Sequence, residues 1–116
     1  MRNILAGVML ANLVASVAAF ASDSAGHYVV LGPGNWSCGK WTADSSSGEV
    51  SKFQEIGWVQ GFLTAYNDYV WKGQSVMGSV DGPGVTAWTN NYCTAHPLDT
   101  IGDATHALIL DLQKRN

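Results

Sequence analysis

Apolar residues in the stretch EVSKFQEIGWVQGFLTAYNDYVWKG recur at helical spacing. Phe53, Ile56, Leu63, Tyr66 and Val70 fall on one side of the wheel, and Lys52, Glu55, Gln60 and Asn67 or Asp68 fall largely elsewhere. The pattern predicts the longest helix of the chain, opened by Ser46 and Glu49 at capping-box spacing and terminated by Gly73. Within it Gly57, Gly61 and Ala65 lie four apart and form a smooth ridge. Each interior glycine costs a helix about 1 kcal/mol relative to alanine, so the ridge predicts a close approach by another element.

Two more helices follow. Pro83 suits the first turn of one whose inward residues are Val85, Trp88, Tyr92 and Cys93, and Pro97 stops it. Asp99 or Thr100 caps the last, Asp103 completes its first turn, and Ile101, Ala104, Leu108 and Leu112 make its apolar stripe. Lys114 and Arg115 at its end complement the helix dipole. Upstream, Asn35 is a good N-cap for a short helix carrying Trp36, Cys38 and Trp41, which DSSSG breaks. Before it, SAGHYVVLGPGN reads as an extended arm or short strand. GQSVMGSVDGPG holds four glycines in twelve residues without a helical period and reads as a surface loop. With no run of strands and no repeat, the fold class is all-α: a small bundle of three to four helices behind a short extended N-terminal arm.

The first 21 residues have a different pattern. Arg2, an apolar core from Ile4 to Phe20 and the triplet Ala19-Phe20-Ala21 form a secretory signal peptide with cleavage expected after Ala21. The domain organisation is then residues 1–21 as signal, 22–34 as arm and 35–116 as helical domain, in a periplasmic or secreted protein with no membrane association after cleavage. Loss of Arg2 leaves five basic against nine acidic residues, a net charge of −4. Such a chain has no basic patch for nucleic acid or anionic lipid. A core drawn from about 95 residues confers a modest stability margin. The two cysteines, Cys38 and Cys93, supply a staple, because thiols persist as disulfides outside the cytoplasm and only one pairing is available.

Candidate chemistry is sparse. His27, His96 and His106 have no second His or Cys at metal-ligand spacing. Asp99, Asp103 and His106 share one side of a helix, an arrangement that reads first as a solvated face with Asp99 as a cap and second as a weak metal site. No serine sits in a nucleophile motif, and the phosphate-cradling and dinucleotide glycine motifs are missing. The reading is a protein that is not an enzyme and takes no cofactor or metal. Its surplus is aromatic: five tryptophans and four tyrosines. Trp36, Trp58 and Trp88 are expected in the core, and Tyr69, Trp71 and Trp41 on an exposed binding patch. The loop from Gly73 to Gly84 is expected to be the contact element, with Asp81 presenting a charge to a basic cleft.

SCGKW, GWVQGFLTAYN and AWTNNYCTAHPLDTIGDATHALILDL together resemble the small exported proteins grouped around the Rap/Tai immunity domain, which protect bacteria against amidase toxins of the type VI secretion system. The matching features are Cys38 with Cys93, the Gly57-Trp58-x-x-Gly61 helix, the turn around His96-Pro97-Leu98 and the closing amphipathic helix. The resemblance implies a periplasmic partner, a toxin or other hydrolase, that this protein binds and blocks. A second resemblance is to HdeA-like acid-stress chaperones of the periplasm, which would imply client binding after carboxylate protonation. Monomer and homodimer both stay open.

Overall fold

A computed structural model describes residues 28–116, and the expected signal peptide lies outside the described residues. Within them the protein is all-helical, with α1 (Cys38–Ser47), α2 (Val50–Tyr69), α3 (Gly82–Ala95) and α4 (Ile101–Arg115) preceded by a 3-10 turn, Gly32–Asn35. That turn takes in the last three residues of the arm expected over residues 22–34: Gly32, Pro33 and Gly34 coil with Asn35 and pack onto α2 and α4. Its Gly34 is buried against the Trp58 indole, so close that an added Cβ would lie 2.6 Å from Trp58 Cε2. The approach leaves room only for glycine.

The α1–α2 junction also differs from the expectation. DSSSG does not interrupt the first helix; Asp44–Ser47 form its last turn, and Gly48 ends it with φ of 66°. Ser46 donates its hydroxyl to Thr42 O inside α1, so no capping box joins it to Glu49, which stands at the N-cap of α2 without a side-chain bond. One left-handed glycine thus replaces a loop and lets α1 double back directly into α2.

The core gathers Cys38 and Trp41 from α1, Val59 and Leu63 from α2, Val76 from the α2–α3 connection, Val85 and Cys93 from α3, and five residues of α4, Ile101, Ala104, Leu108, Ile109 and Leu112. The stripe expected on α4 is the buried one, and Thr100 with Asp103 forms a complete capping box. Cys38 and Cys93 are bonded, joining the first residue of α1 to the last turn of α3 across 55 residues of sequence. A single pair between Ser37 and Thr100, together with Ile101 N donating to Trp36 O, ties the same end to the start of α4.

On α2 the expected face is rotated. Phe53 and Val70 point outward, whereas Lys52 and Glu55 are buried together with Val59 and Leu63. The inward row 52, 55/56, 59, 63, 66 is as regular as the expected one, and Val59 and Leu63 carry it into the buried core. Two charged residues occupy its first positions: α1 brings Trp41 as a partner for Lys52, and Glu55 is buried beside it.

Candidate functional site

The outward side of α2 is an exposed surface of small, polar and aromatic residues. It runs through Phe53, Gln54, Gly57, Gln60, Gly61, Thr64 and Ala65 to Asp68 and Tyr69. Phe53 is 74% exposed and Tyr69 79%. Sixteen residues of helix at 1.5 Å each separate them by about 24 Å. From Phe53 to Ala65 this side carries no charged residue. A Cβ placed on Gly57 or Gly61 would meet nothing within 4 Å. The close approach expected over this ridge is therefore not made by any described element, and the glycines lie open.

The wall beside the lower half of this surface is firm. Trp58 stacks on Phe62 at 5.3 Å between ring centroids and donates its Nε1 hydrogen to Leu31 O at 2.8 Å. The Phe62 ring meets His106 edge-on at 6.0 Å. Tyr66 accepts from Gln113 Nε2 at 2.6 Å through its hydroxyl. With Ala65, Tyr69 and Val70, Phe62 and Tyr66 line an apolar hollow of about 240 Å³.

The sequence-derived binding residues separate. Tyr69 is exposed on this surface, as expected. Trp41 is not: it is 1% exposed, its indole N–H goes to Asn90 Oδ1 at 2.6 Å, and its ring lies beneath Lys52. Its place on α1 faces α3, and the exposed patch assigned to it does not exist. Trp71 is half-buried and lines a second hollow of about 330 Å³ with Gly73, Gln74, Ser75, Gly78 and Asn116. Asp81 is exposed but caps α3, its Oδ1 accepting from Gly84 N at 2.9 Å. The glycine-rich connection is anchored rather than free. Val76 is buried in the core, its N–H goes to Asn67 Oδ1 and its carbonyl accepts from Asn116 Nδ2, and α3 already begins at Gly82. Trp36, Trp58 and Trp88 pack against the core with part of each ring exposed.

The residues read as a solvated face or weak metal site are committed elsewhere. Asp99 accepts from Tyr92 Oη at 2.7 Å and holds that phenol's pKa up at about 12. Asp103 belongs to the capping box, which lowers its pKa. Nδ1 of His106 faces the Tyr28 hydroxyl at 3.3 Å.

Under the first turns of α2 lies a charged cluster, two of whose members, Lys52 and Glu55, the helical pattern alone predicts on the solvent side. Glu55 is 0% exposed, and neither carboxylate oxygen has a hydrogen-bond partner. The nearest cation, Lys52 Nζ, is 3.7 Å from Oε2. That ammonium is engaged elsewhere: it donates to Trp41 O at 3.2 Å and stands 3.1 Å from the centroid of the Trp41 ring. Asp44, by contrast, accepts on Oδ2 from Lys40 Nζ and from Ser51 Oγ, both at 2.6 Å, and is held below the usual carboxylate range by those bonds. Burial brings the Lys52 ammonium down to about 8, against the pull of Glu55 and Asp44. Burial pushes Glu55 up, with Lys52 opposing and the Asp44 charge adding.

The chain matches no family model, no curated protein and no solved structure.

Proposed function

We propose that this is an exported, non-enzymatic binding protein that docks a partner enzyme on the outer side of α2 and blocks it, in the manner of an immunity protein. One observation carries the reading: a helix face about 24 Å long, uncharged from Phe53 to Ala65, opens over Gly57 and Gly61 and has an exposed aromatic ring at each end. Depletion of charge with aromatic side chains at hand is the composition of an interface core. Glycines kept in a helix interior at a stability cost, with nothing packed on them, fit a surface that an incoming backbone must approach closely. Phe53 and Tyr69 supply the anchors, as aromatic side chains do at interfaces, and the hollow beside Tyr69 receives an apolar side chain of the partner. The Cys38–Cys93 staple ties α1 to α3, the helices that flank α2 in the chain, and a fixed frame lowers the ordering cost of association. The resemblance to the Rap/Tai group supplies the partner class, a periplasmic hydrolase.

The test is site-specific photo-crosslinking in the periplasm from positions 53, 61 and 69, with position 114 on α4 as control, followed by assay of the captured enzyme. The expected result is one product from all three α2 positions, absent from position 114, whose activity falls as purified wild-type protein is added. Equal crosslinking from position 114, or a captured enzyme whose activity is unaffected, would overturn the reading.

A further inference from the structure

The four charged side chains under α2 are unequally served. Asp44 holds two short bonds, from Lys40 and Ser51, and Lys52 rests on the Trp41 ring and carbonyl. Glu55 alone is sealed from solvent with both oxygens unpartnered, 3.7 Å from an ammonium already engaged. A buried carboxylate without donors is among the costliest states in a protein interior, and the inexpensive alternative is to keep the proton. We propose that Glu55 is the proton-carrying member of a latch between α1 and α2, and that release of this proton to solvent loosens the first turns of α2, where Val50 and Phe53 stand. In the loaded state the pair Lys40–Asp44 is neutral by itself, Lys52 is held by Trp41, and Glu55 adds no charge. In the unloaded state a second buried carboxylate faces Asp44 with no donor of its own.

The groups bearing on Glu55 are those of α1 and α2. Lys52 and Lys40 favour its charged form and Asp44 opposes it. From α3, which contains no charged residue, comes Asn90, engaged with Trp41. On α4, Asp103, His106 and Asp111 are bonded to Thr100, Tyr28, and Trp88 with Arg115. The direction follows from linkage. The folded protein holds the Glu55 proton more tightly than the unfolded chain, whose value is near 4.5, so the contribution to stability is complete below that pH and is lost as pH rises through the higher folded value.

The consequence for partner binding rests on the docking reading above, whereas the latch itself is measured without a partner. Carbon-13 carboxyl spectra of the wild-type protein across pH 4–8 read the Glu55 midpoint directly. Amide exchange of residues 49–55 over the same range, taken as the ratio of wild-type to Glu55→Gln protection at each pH, reads the loosening. Expected are a midpoint above 4.5 and a ratio that is flat below about pH 4.5, declines between 4.5 and the midpoint by up to tenfold per pH unit for one proton, and levels off above the midpoint. Glu55→Leu is the second neutral reference, should the Gln variant fold poorly. A midpoint at or below 4.5, or a ratio that does not change with pH, would overturn the latch. Loss of crosslinking from positions 61 and 69 at fixed pH is a different result and bears on the docking face alone.

Discussion

Replacing Gly57 and Gly61 by alanine separates folding from docking. Both positions lie inside a 20-residue helix, and the space a methyl would enter is empty to 4 Å. Steric terms therefore drop out, and what remains is helix propensity, about 1 kcal/mol per site in favour of alanine. The double variant Gly57→Ala/Gly61→Ala is expected to gain about 2 kcal/mol, because the sites are a turn apart and share no partner. For a domain of this size that corresponds to a rise in Tm of roughly 8–16 °C. Thermal unfolding followed by circular dichroism, with urea unfolding as the second measure, checks it. A stability unchanged or lowered would mean that something already covers the ridge and would refute the claim that it is open. Binding should move the opposite way, since two methyl groups hold a partner's backbone off the helix. Higher Tm with weaker capture is the signature of glycines kept for contact.

Three further outcomes follow from the fold. Removing the staple by Cys38→Ala/Cys93→Ala opens a 55-residue loop, and on the loop-entropy estimate urea unfolding should register a loss of about 4 kcal/mol. Gly34→Ala drives a methyl into the Trp58 indole, which its bond to Leu31 O and its stack on Phe62 prevent from yielding; a loss of about 1–3 kcal/mol is expected, and an unchanged urea midpoint would contradict the contact. Lys52 has a folded value of about 8 against 10.5 when unfolded, so its penalty is present in full below pH 8 and is relieved as pH rises toward 10.5; the wild-type urea midpoint should rise between pH 8 and 10 relative to that of Lys52→Met.

The helices that were legible in the sequence are those whose signals are local. Thr100 and Asp103 announce α4, Pro83 and Pro97 bracket α3, and two cysteines allow one pairing, Cys38 with Cys93. What the sequence concealed depends on neighbours in space. Lys52 and Glu55 look like a solvated helix face, and nothing on α2 reveals that Trp41 and Asp44 of α1 will cover them. Once they are inward, Phe53 must be outward, so a single shift in helical phase relocates both the charged pair and an exposed aromatic ring. The regular row Lys52, Glu55, Val59, Leu63 was the available signal, obscured by its two charged members. The count of aromatics alone puts Trp41 at the surface; its ring is buried because an amide on α3 and an ammonium on α2 both reach it.

The central claim, that the outer side of α2 blocks a partner enzyme, is tested most directly by titrating the captured enzyme with wild-type protein and with Gly61→Arg. The variant changes one exposed position over empty space and should keep the wild-type Tm or exceed it. The expected result is stoichiometric inhibition by wild type and at least a tenfold weaker effect from Gly61→Arg, a loss of about 1.4 kcal/mol or more in binding. Equal inhibition by both proteins would contradict the account.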